Sequence, residues 1–415
     1  MSDPAVAAVA PSPPASSVRS RYDRTPWWVK VVVVFAASRV ITTTILLVFA
    51  SLQQQNAWTV ASPDYFSFAS MWDAHWYYII SVTGYPSELP LTADGQVAEN
   101  AWAFMPVYPL LVGALSTLTT IPFPVVAVVV STGFALGTAL VFYRLLSLVV
   151  PAGQALFAVV LFCVAPLSPI LQVAYAEPMG LFLLTVALYL LMQRRYWSLL
   201  PVIAVMSLTR PSGLAFALAM GLHVVYRWVK RDTEPFPRAD RVASIIAGGF
   251  SAVMGFAWLL IAWAVTGSLT AYTDTELAWR AAYIGYGELV PFSGWVAGAN
   301  WWLARANWGI PQAFGPILLV ILVAIFVAVM FSRPVRRLGV DLRLWLASYA
   351  LYILAVFFPQ SSTFRLLIPM FPVLGALAQP RSSTYRICLV ALFIAGQVGW
   401  IYIGWWVDGY DWTPP

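Results

Sequence analysis

Four ionisable side chains in an otherwise oily chain hold the chemistry that can be read first: Asp73 in "WDAHWY", Glu177 in "YAEP", Arg210 in "TRPSG" and Arg365 in "QSSTFR". A carboxylate within hydrogen-bond reach of a hydroxyl can take its proton. A guanidinium suits a phosphate, which it binds through two parallel N–H donors. Each residue also has a plainer reading. Asp73 can cap a helix beginning at Ala74, Glu177 can be a helix-start acid before Pro178, and the arginines can snorkel to a membrane interface. Asp73 is taken as a general base and Glu177 as a second acid that orients hydroxyls. Arg365 is taken as a phosphate ligand, and Arg210 as either the same or an ion-pair partner of Glu177 or Asp73.

Around these four, Trp72, His75, Trp76, Glu88, Phe104, Tyr108 and Tyr175 are candidate substrate contacts. The rings could stack on a ligand, although aromatic residues also gather at headgroup level for no other reason. His75 follows Asp73 by two residues, so on a helix it points away from it and packing is its plainer role. Arg280 and Arg305 are weaker candidates, being loop arginines. The two histidines and two cysteines form no cluster, and the acids have no metal-ligand spacing, so neither a metal nor a cofactor is expected.

The elements that must position these residues are membrane helices. The chain has 415 residues, 61% hydrophobic and 10% charged, with a mean hydropathy of +0.79. A span needs about 20 apolar residues, and runs near 28–50, 124–149, 154–172, 176–193, 196–209, 211–228, 242–266, 312–332, 343–359, 364–379 and 386–407 fit or nearly fit. A further run at 103–121, broken by Pro106 and Pro109, is expected to lie in the interface or re-enter. With about eleven crossings, Arg144, Arg194, Arg195 and the clusters at 227–241, 333–343 and 381–386 all fall on the cytoplasmic side. The excess of basic over acidic residues therefore reflects insertion and not nucleic acid. The expected organisation is a disordered cytoplasmic tail (1–26), one transmembrane domain (27–407) with outward loops at 51–102 and 267–311, and a short outward tail (408–415).

All the chemistry-bearing motifs then reach the outward face, and here the sequence resembles a family. Trp72-Asp73-Ala74 with its following aromatics, Gly84-Tyr85 with Glu88, and Ala103-Phe104-Met105-Pro106-Val107-Tyr108-Pro109 are similar to the first luminal loop of the PIG-V mannosyltransferases. Tyr175-Ala176-Glu177-Pro178, Thr209-Arg210-Pro211-Ser212-Gly213 and Arg365 before "LLIPMFP" continue the likeness, which runs from residue 27 to about 375. Met105 stands where the family usually has Phe, and the 267–311 loop has no clear counterpart. The resemblance, strongest to the bacterial branch, implies an all-α polytopic GT-C fold and an enzyme that uses no metal.

The resemblance further implies a plasma-membrane enzyme, with its site on the extracytoplasmic side. It would be an inverting transferase that moves a hexose, mannose first, from a polyprenyl-phosphate sugar donor to a lipid-linked or glycan acceptor among the membrane lipids. Asp73 would be its base. The alternative class is a lipid or solute transporter or flippase, but transporters tend to show repeats and charged helices near the midplane. No half of this chain repeats the other.

Overall fold

Proline stands at the cap or in the first turn of half of the longer helices, where its fixed φ suits the start and its missing N–H is not needed. A computed structural model describes residues 24–407 except 288 and 307–308; the expected tails, 1–26 and 408–415, otherwise lie outside the described residues. The longer helices are α1 (Trp27–Leu52), α2 (Asp73–Thr83), α3 (Val107–Thr119), α4 (Phe123–Leu146), α5 (Ala152–Val164), α6 (Glu177–Met192) and α7 (Tyr196–Ser207). They continue as α8 (Gly213–Val229), α9 (Arg238–Thr266), α10 (Ala271–Ile284), α11 (Ser293–Ala306), α12 (Gly315–Met330), α13 (Val340–Val356) and α14 (Ser383–Trp400). Among the described residues there is no strand beyond an isolated bridge between Leu91 and Val97.

By length and composition five helices can cross a membrane: Trp27–Leu52, Phe123–Leu146, Arg238–Thr266, Gln312–Met330 and Ser383–Trp405. The other apolar helices are shorter, and two of the runs expected as spans are interrupted at prolines. The 154–172 run leaves the α-helix at Val164, because Ala165 precedes Pro166 and is extended (ψ 152). Buried Arg39 of α1 answers the break, donating Nη2 to the Cys163 carbonyl at 2.6 Å and Nη1 to the Ser168 carbonyl at 3.0 Å. The 364–379 run divides into Thr363–Leu366, a 3-10 stretch Ile368–Val373 containing Pro369 and Pro372, and Leu374–Leu377.

Glu177 at the start of α6 and Arg210 just before α8 meet as an ion pair, so these two helices begin at the same end. α6 leads from Glu177 to Arg194 and α8 from Arg210 to Arg227. At 1.5 Å per residue each helix separates those groups by about 25 Å. Close approach of α8 and α9 needs glycine at both contact points: a Cβ on Gly213 would lie 2.8 Å from the Gly255 Cα.

Far from Glu177, His223 of α8 sits between two other helices. Its Nδ1 is 2.7 Å from Asp341 Oδ1 on α13, and its Nε2 is 2.9 Å from the Tyr196 hydroxyl on α7. This buried contact ties three helices together at the basic end.

Candidate active site

Asp73 is delivered by an unusual piece of backbone. Trp72 has φ 61 and ψ −124, a region that favours glycine, and it forms the cap from which α2 starts. Its buried indole holds it there, donating from Nε1 at 3.0 Å to the carbonyl of Trp405, in a π-helical turn after α14. Asp73 therefore occupies the first turn of α2 and does not cap it; the helix has no side-chain cap. The Asp73 N–H instead donates to the Tyr175 hydroxyl at 3.3 Å, and the carboxylate is free to turn inward to Arg365.

The other charges arrive on three separate elements. Glu177 opens α6 beside Pro178, and its carboxylate is nearly buried. Arg210 follows α7 and reaches Glu177 Oε1 at 3.3 Å. Arg365, in the short turn Thr363–Leu366, pairs with Asp73 Oδ2 and places its Nε 3.4 Å from Glu177 Oε1. Its guanidinium lies over the Tyr175 ring, 5.1 Å from the centroid. Two acids and two arginines thus form one nearly neutral cluster, with Glu177 and Arg365 buried and Asp73 and Arg210 partly so, as burial of charge requires. Burial pushes the Asp73 carboxyl above its ordinary range; Arg365 opposes the shift and Glu177 adds to it.

The cluster lies in a cavity of about 1150 Å³. Trp72, Asp73, Trp76, Phe104, Glu177, Arg210 and Arg365 all line it, and Leu181, Leu184, Leu214, Leu259, Ile353 and Ile368 give it an apolar flank. Gly180 lets Arg210 lie against α6, since a Cβ there would stand 2.8 Å from the Arg210 Cγ.

Four candidate substrate contacts are not among the cavity-lining residues. His75 packs on Trp58, ring centroids 4.9 Å apart, because it leaves α2 on another face from Asp73. Glu88 is exposed: the preceding turn is pinned by the Trp102 indole, which donates to the Pro86 carbonyl at 3.0 Å, and Glu88 projects outward. Tyr108 and Tyr175 are fully buried behind the wall. The Tyr108 hydroxyl lies 2.8 Å from Ser131 Oγ, which donates to the Tyr175 carbonyl at 2.9 Å, so both tyrosines brace the strip leading to Glu177.

Sequence reasoning passed over Glu99, Tyr272, Glu276 and Trp279, which line the cavity, and underrated Arg280, which also lines it. The available signal was the spacing of Tyr272, Glu276 and Arg280, four residues apart on one helix face. Among the described residues, no three His, Cys, Asp or Glu side chains converge as a metal-ligand set. Comparison with known proteins finds no matching family model and no matching curated protein.

Proposed function

We propose that this protein is a membrane-embedded inverting glycosyltransferase of the GT-C type, similar to the PIG-V mannosyltransferases. It would move a hexose, mannose first, from a polyprenyl phosphate to a hydroxyl acceptor at the extracytoplasmic membrane face. The observation that carries this reading is the part-buried Asp73–Arg365 pair, set in a cavity lined by both charged and apolar side chains. A polyprenyl-phosphate sugar needs both, one for the phosphate and one for the chain.

In this reading Asp73 accepts the acceptor's hydroxyl proton as that oxygen attacks the anomeric carbon. The bond from that carbon to the phosphate oxygen breaks, and its electron pair leaves with the phosphate. One displacement inverts the centre. Charge stays level: the phosphodiester donor has one negative charge and the departing monoester about two, while protonation removes one from Asp73. Arg365, released from Asp73 as the carboxyl becomes neutral, is placed to take up the added charge on the phosphate.

The reaction is tested by offering synthetic polyprenyl-phosphate [³H]mannose and a membrane lipid extract to the purified wild type and to Asp73→Asn. Transfer by the wild type alone supports the assignment. Equal transfer by both would move the base to Glu177, and transfer by neither, across several sugars, would overturn the enzyme reading in favour of a transporter.

A further inference from the structure

The same cavity has a second polar station that the Asp73 cluster does not use. On α10, Tyr272, Glu276 and Arg280 recur at four-residue spacing and share a face. Glu276 Oε2 is 3.9 Å from Arg280 Nη2, and Arg280 is itself fixed by donating to the Val356 carbonyl at 2.9 Å. Tyr272 lies one turn before Glu276 on the same face and also lines the cavity. Arg210 and Glu177 line the same cavity as Glu276 and Arg280, so the two stations share one space.

Aromatic rings form the wall beside them. Trp76 and Phe104 stack at 5.7 Å with 14° between their planes, and Trp279 of α10 stands edge-on to both at 5.6 Å. All three line the cavity. Rings of this size offer a broad apolar face, while a carboxylate accepts hydroxyl protons and a guanidinium or phenol donates to hydroxyl oxygens. That pairing suits a pyranose, which has an apolar C–H face and a polar hydroxyl rim. An acyl chain would leave the Glu276–Arg280 pair without a role, and a bare phosphate would leave the aromatic wall without one.

We infer that the Tyr272–Glu276–Arg280 face of α10 and the Trp76–Phe104–Trp279 wall form a pyranoside subsite, and that the acceptor is itself sugar-headed. The identification of the ring as the acceptor's rests on the transfer reading above; binding of the ring does not.

The test is saturation-transfer NMR with methyl α-D-mannopyranoside and the full chain in detergent, with no donor present. Wild type is expected to saturate the ring protons. Glu276→Gln, which preserves shape, and Trp279→Leu should each weaken binding by at least about tenfold, or 1.4 kcal/mol, with melting temperatures held near wild type. No signal on wild type, undiminished signal in Glu276→Gln, or loss confined to Asp73→Asn would overturn the subsite. In the transfer assay Glu276→Gln should raise the acceptor KM and leave the donor KM within about twofold. An equal rise in both would also overturn it. A failed transfer assay leaves the NMR result standing, so the two readings fail separately.

Discussion

Arg365 pairs with Asp73 across 292 residues of sequence, while its Nε faces Glu177 at 3.4 Å. The guanidinium is shared between a residue proposed to change charge and one that need not. Loss of the Asp73 charge therefore leaves Arg365 with a partner, whereas loss of Arg365 leaves the largely covered Asp73 with none at ion-pair distance among the described residues. The two substitutions should not be equivalent.

Asp73→Asn should lower kcat by about 10²–10⁴-fold, the usual range for a general base, with a small change in melting temperature because Glu177 still compensates Arg365. Arg365→Gln should destabilise the fold by about 3–5 kcal/mol, the cost of stranding a buried charge. Thermal unfolding in one detergent, alongside single-turnover transfer, separates the two. A larger stability loss in Asp73→Asn than in Arg365→Gln would contradict the shared-guanidinium account.

The pH profile follows from the Asp73 environment. A base works only when ionised, so activity must fall as pH drops through its folded pKa. Burial raises that pKa, and the acid limb of kcat/KM should lie above the ordinary Asp value of about 3.9. Arg365 opposes the rise, so the residual activity of Arg365→Gln should show the limb displaced further toward neutral pH. A limb that moves to lower pH, or stays fixed, would exclude Asp73 as the titrating group.

The four charges were legible in the sequence because an ionisable group in an apolar chain is costly and stands out. Their pairing was not, since Asp73, Glu177, Arg210 and Arg365 lie on four elements and only packing decides which partners meet. Apolar runs located the long helices well. They failed at 154–172 and 364–379, where averaged hydropathy hides what Pro166, Pro169 and Pro372 do to backbone hydrogen bonding. The spacing of Tyr272, Glu276 and Arg280 marked a face of α10, but that this face and Trp279 turn to the cavity is decided by packing against Trp76 and Phe104.

Gly180 gives a positional test of the cluster. A methyl group there would stand 2.8 Å from the Arg210 Cγ, so Gly180→Ala must move a flexible side chain and not the backbone. The fold should survive within about 1 kcal/mol, but Arg210 should lose its 3.3 Å approach to Glu177. We expect kcat/KM to fall by about tenfold, or 1.4 kcal/mol. Unchanged kinetics in Gly180→Ala would mean that the Arg210–Glu177 contact plays no part in turnover.

Trp72 tests whether the backbone before Asp73 is strained. A non-glycine residue at φ 61, ψ −124 carries about 1–3 kcal/mol of strain, repaid here by the buried indole and its bond to the Trp405 carbonyl. Trp72→Ala and Trp72→Gly lose the same ring and the same hydrogen bond, but only glycine adopts that φ and ψ without cost. Elsewhere glycine usually lowers stability relative to alanine through its chain entropy. At this position Trp72→Gly should be the more stable variant by about 1–2 kcal/mol, although both fall below wild type. Thermal unfolding of the three proteins in the same detergent reads the order directly. Alanine at or above glycine would show that the turn holds Asp73 without strain, and that the indole serves packing alone.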